Sequence, residues 1–138
     1  MTVEEYRAKE YLAELQTLDN FIQSGARELK RLRLLSTSFG IGEFKEKVQG
    51  GKIENRLENQ VIEIVDLENR IKKEIRRYTK LRETIKKAIN SQKDADERLL
   101  LTLRYIENMT WEEISEKMNC STRHVYRLHK IALRNFRK

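Results

Sequence analysis

The chain has 138 residues, 37% of them charged and 38% hydrophobic, with a formal net charge of +7 and no proline. That balance suits long exposed helices and points to a polyanionic partner. No run approaches the roughly 18 consecutive apolar residues of a membrane span, so none is expected, and one cysteine, Cys120, excludes an internal disulfide and suits a reducing cytosol.

The first element opens at "TVEE", where Thr2 and Glu5 form a capping box. No signal-peptide h-region is expected there. Ala8, Leu15, Ile22 and Leu29 then recur every seven residues, with Tyr11, Leu18 and Leu32 at the d spacing and Gly25 breaking that series. A glycine-rich linker is expected at 36–51. It contains Gly40, Gly42, Gly50 and Gly51, and its apolar residues Phe39, Ile41, Phe44 and Val48 would either fold over the end of the helices or face a partner.

A second long helix follows. Leu57, Ile64, Ile71, Tyr78 and Ile85 keep the seven-residue period, with Leu67 and Leu81 at d and Val61, Ile75 and Ile89 one residue later. The stripe is wider than a two-stranded seam. Each helix would span about 50 Å, and the simplest way to bury both stripes is an antiparallel hairpin, although pairing between two chains would serve equally. The basic run "KKEIRR" at Lys72–Arg77 reads as a solvated face. The expected fold class is therefore all-α. Residues 1–90 would form a coiled-coil-like helical rod, and 91–138 a separate helix-turn-helix module beyond the polar "NSQKDADE".

That module begins with a helix from about Asp96 to Asn108, expected to bury Leu99, Leu100, Leu103 and Ile106. Thr110 and Glu113 form a second capping box, and Ile114 with Met118 gives the next helix a buried face. Trp111 is expected to pack back near Leu103. Ser115 is small where a second helix would cross closely. Asn119 suits a turn requiring positive φ, Cys120 plugs it, and Ser121 caps a helix over 122–133. With Val125 and Leu128 inward, Thr122, Arg123, Tyr126, Arg127 and Lys130 face outward. From Asn119 to Lys138 there are six basic residues and no acid, while Glu112, Glu113 and Glu116 lie on the preceding helix. Arginine pairs bidentately with guanine, threonine meets the thymine methyl, and lysine suits phosphate. The expected DNA-binding set is Ser121, Thr122, Arg123, Tyr126, Arg127, Lys130, Arg134, Arg137 and Lys138.

The segment "LLTLRYIENMTWEEISEKMNCSTRHVYRLHKIALRNF" resembles region 4 of bacterial sigma factors, in which a helix ending "LRY" leads to "T-x-E-E-I" and a serine-capped recognition helix. Thr122 and Tyr126 stand where sigma factors commonly carry arginine, so their promoter preference does not transfer, and the chain shows no counterpart of the promoter-melting region. A basic chain joining a helical rod to such a module is similar to the RinA and ArpU type of phage late transcription regulators. The resemblance implies a DNA-binding regulator of phage or prophage type, acting in the bacterial cytoplasm at the nucleoid. Its partners would be double-stranded DNA, RNA polymerase and a second copy joined through the N-terminal helices. The alternatives are a DNA-packaging protein of the small-terminase kind and a coiled-coil adaptor without nucleic acid. Cys120, His124 and His129 do not share a helical face, so no metal is expected. Without a phosphate-binding loop or a nucleophile–base pair, neither cofactor nor enzymatic activity is expected.

Overall fold

The computed structural model describes the backbone of residues 1–42 and 50–138 and the side chains of residues 1–37 and 55–138. Phe39, Ile41, Phe44 and Val48 lie outside the described side chains. The architecture is all-α, with no strand among the described residues. Helix α1 runs Val3–Gly42, α2 Gly50–Asn90, α3 Ala95–Leu101, α4 Trp111–Lys117 and α5 Thr122–Asn135, and α3 continues into a π-turn at Thr102–Ile106. Helix therefore covers both ends of the linker expected at 36–51.

The chain forms two compact units: Asn20–Arg76, and Met1–Asp19 together with Arg77–Lys138. In the first, α1 and α2 pair as an intramolecular antiparallel hairpin. Leu67 and Ile71 are buried along the predicted stripe. Gly25 is no lapse in the pattern: a Cβ there would stand 3.1 Å from Ile71 Cγ1, so the missing side chain lets the helices approach closely. On the flank of the seam Arg33 pairs with Glu68.

The second unit departs from the expected division at residue 90. Leu12 and Leu15 of α1 and Ile85 and Ile89 of α2 are almost wholly buried in one cluster with Leu100, Leu101, Leu103, Ile114, Val125 and Leu133. The physical reason is area. Three short helices leave their inner faces incompletely covered, and the two long helices supply the rest. Leu12 falls outside the heptad series read from the sequence, because this stretch of α1 packs on the C-terminal helices as well as on α2.

The helix ends follow the chemistry of their caps. At the start of α1 the Thr2 amide donates to Glu5 Oε2 at 3.1 Å, and the Glu5 amide returns a bond to Thr2 Oγ1 at 3.2 Å. Asp94 caps α3 through the Glu97 amide. The expected burial of α3 is corrected: Leu101 and Tyr105 are buried beside Leu100 and Leu103, whereas Leu99 is exposed. The π-turn, closed by Glu107 N–H donating to the Thr102 carbonyl at 3.0 Å, widens the helix by one residue. It thereby brings Leu103 and Tyr105, which would point to different sides of a regular helix, into the same core.

Candidate nucleic-acid interface

Two turns of the same construction aim α4 and α5. Asn108 (φ 57°) and Asn119 (φ 55°) are the two positive-φ residues other than glycine among the described residues. Each is followed by an apolar residue packed on the core, Met109 or Cys120, and then by a hydroxyl cap. The Met109 amide reaches back to the Leu103 carbonyl at 2.9 Å, and the Cys120 amide to that of Ser115 at 3.0 Å. Thr110 Oγ1 then accepts from the Glu113 amide, and Ser121 Oγ from the His124 amide. The turn Asn119–Cys120–Ser121 stands as the sequence predicts.

Val125, His129, Ala132 and Leu133 form the buried face of α5, with Leu128 half-buried against the core. Arg123, Tyr126, Arg127 and Lys130 are exposed on the opposite side, with Thr122 half-exposed at the first turn. Ser121 is exposed, and its hydroxyl serves the cap. No carboxylate interrupts this face, while Glu112, Glu113 and Glu116 stay on α4.

Arg134, Arg137 and Lys138 form a separate group. They lie toward the far end of a helix about 20 Å long, and all three engage neighbours. Arg134 Nε donates to Glu5 Oε1 at 3.1 Å. Arg137 Nη1 caps the carbonyls of Arg134 and Phe136 at 3.0 Å, and Lys138 Nζ lies 4.5 Å from the centroid of Tyr11. Burial pushes the Glu5 carboxyl up, but the Thr2 amide and the Arg134 guanidinium outweigh it and hold the group below its ordinary range.

The C-terminal half of α5 is further fixed by Asn135 Nδ2, which donates to the buried Glu97 at 2.7 Å. Gln92 Nε2 donates to the Ala132 carbonyl at 2.8 Å. Contacts from α1, α3 and the loop before α3 thus grip the back of the helix and leave its first two turns presented.

Beneath those turns lies an aromatic cluster that the sequence reading missed. His129 shares a 2.7 Å hydrogen bond with Tyr105 Oη, and the Trp111 ring meets His129 edge-on at 4.7 Å and Tyr126 at 5.2 Å. Arg104 lies 4.1 Å over the Trp111 ring and donates to the Met109 carbonyl. Trp111 therefore bears on α5 rather than sitting simply against Leu103. Burial, aided by Lys9 and Arg104, pushes His129 down to about 4, and burial pushes Tyr105 up to about 12, so both are neutral near pH 7. His129 spaced four residues from Val125 and from Leu133 was the available signal for its burial.

Fold and site together define an all-α protein with a helical hairpin and a helix-turn-helix whose second helix presents a basic outer face. The chain belongs to DUF1492, a family of proteins of unknown function, whose model matches residues 39–137. No curated protein matches it, and no solved structure does.

Proposed function

We propose that this chain is a sequence-specific DNA-binding transcription regulator of phage or prophage type, acting in the bacterial cytoplasm at the nucleoid. It reads the major groove with the first turns of α5 and uses the α1–α2 hairpin to join a second copy or to dock on RNA polymerase. The observation that carries this reading is the acid-free exposed face of Arg123, Tyr126, Arg127 and Lys130 on a helix gripped from behind. A rigid helix with free arginines at its leading end can place guanidinium groups against base edges, whereas flexible surface lysines deliver only non-specific attraction. One such helix spans few base pairs, so a second copy or polymerase contact supplies the remaining affinity. A small-terminase packaging role rests on the same face and differs in predicting a ring-shaped assembly.

The decisive experiment selects bound fragments from bacterial and phage genomic DNA and then titrates the enriched site against salt. About four phosphate contacts would lower affinity roughly 100-fold between about 50 and 200 mM salt. No enrichment, together with salt-independent binding, would refute the reading.

A further inference from the structure

The hairpin unit leaves large apolar side chains uncovered on both helices. Leu34 and Leu35 of α1, and Val61, Ile62 and Val65 of α2, are each between 46% and 62% exposed. The hairpin closes without them, through Gly25 against Ile71 and the buried Leu67. Soluble monomers seldom leave such clusters wet.

Their charged surroundings differ in sign. The α1 segment 27–33 carries Arg27, Lys30, Arg31 and Arg33 against a single acid, Glu28, which is held by Arg31 at 2.7 Å. The α2 segment 58–68 carries Glu58, Glu63, Asp66 and Glu68 and no base. Within the hairpin, Arg33 and Glu68 already pair. Arg27, Lys30, Glu58 and Asp66 are exposed beside the two apolar patches. One patch is thus apolar with a basic rim, and the other is apolar with an acidic rim.

We infer that the basic-rimmed α1 patch of one copy packs on the acidic-rimmed α2 patch of a second copy, so that the hairpin is a self-association surface. The inference deepens the proposed function, because it assigns the second copy's contact to these residues rather than to the hairpin seam. Stable interfaces bury about 800 Å² per partner, with an apolar centre and a polar rim. Leucine, isoleucine and valine supply that centre here, and the opposed charges fix which patch meets which. Since each copy carries both patches, the contact can be made reciprocally or head-to-tail. In the first case both patches engage one partner in a two-fold dimer, and in the second successive copies complete a ring.

The test uses the full chain and its molar mass in solution over a concentration series. The wild type should exceed the monomer mass. Arg27→Glu with Lys30→Glu should be monomeric, and so should Glu58→Lys with Asp66→Lys. Mixed in equal amounts, the two variants should associate again, because the reversed α1 rim of one then faces the reversed α2 rim of the other. Misfolding cannot produce that rescue, and helical content by circular dichroism checks each variant. A wild type that stays monomeric, as it would if its own linker covered the patches, overturns the inference. So do variants that associate like the wild type, or a mixture that fails to associate. Binding of the monomeric variants to a short duplex is read separately: it is retained if α5 reads DNA, and its loss in every protein including the wild type would sink the proposed function without bearing on the mass.

Discussion

Acidification should loosen the unit that holds α5 well before its carboxylates protonate, and His129 is the reason. The residue is 3% exposed, with its ring bonded to Tyr105 and edge-on to Trp111. Burial holds it down to about 4, against about 6.5 in an unfolded chain. Between those two values the unfolded state binds a proton that the folded state refuses, so stability falls as pH falls from about 6.5 and levels off below about 4. At about 1.4 kcal/mol per unit the whole shift amounts to about 3 kcal/mol, a large part of the 5–15 kcal/mol typical of a domain. Urea unfolding followed by the fluorescence of Trp111, the chain's one tryptophan, should show this loss between about pH 7 and about pH 4.5. A His129→Gln variant, which keeps a polar partner for Tyr105 but cannot ionise, should lack it. His124 is present in both proteins and cancels in the comparison. Glu5 and Glu28, whose carboxyls are held below their ordinary range, contribute stability that is lost only at lower pH. Equal losses in wild type and variant would show that His129 is not a neutral buried group, and the reasoning would fail.

Leu12→Ala should destabilise the unit containing α5 by about 2–5 kcal/mol, although it lies on the opposite end of the chain; a denaturant midpoint unchanged for that unit would contradict the shared core. Arg127→Ala should cost about 1–3 kcal/mol on the selected DNA site and relax its sequence preference, measured by competition between specific and scrambled duplexes. Gly25→Leu should force α1 from α2 against Ile71 and lower thermal stability by an amount typical of overpacking, about 1–3 kcal/mol; a variant as stable as wild type would show that the close approach is not needed. Arg134→Ala should alter thermal stability as well as DNA affinity, because its partner Glu5 is buried, and a change in affinity alone would place Arg134 purely at a DNA surface.

Much of the local grammar was legible because caps and turns depend on nearest neighbours. Thr2 with Glu5, Thr110 with Glu113, and Ser121 after Asn119 each announce a helix start, and each makes the bond its type implies. The repeated pattern Asn–apolar–hydroxyl at 108–110 and 119–121 is equally local and equally readable. The heptad series found the hairpin because its seam repeats. What failed was non-local. Leu12 departs from the heptad because it serves two neighbours, and the π-turn moves Tyr105 inward without any glycine or proline to mark it. The ties between Glu5 and Arg134, and between Glu97 and Asn135, join residues far apart in the chain. Hence the outward residues of α5 were predictable from register, whereas the behaviour of Arg134, Arg137 and Lys138 was not. The match to DUF1492 begins at residue 39 and so omits Leu12 and Leu15, which the same core requires.

The unit around α5 joins residues 1–19 to residues 77–138, and that separation sets an order of events during synthesis. The hairpin segments of α1 and α2 emerge before α5, so they can pair while the ribosome is still translating. The core that seats α5 needs Leu12 of α1 together with Leu133 and Phe136, and cannot close until those later residues have emerged. Closing contacts across so long a stretch of chain is slow relative to local pairing. Until then Leu12 and Leu15 keep apolar surface exposed, so the nascent chain is aggregation-prone over the whole interval between the emergence of α1 and that of α5.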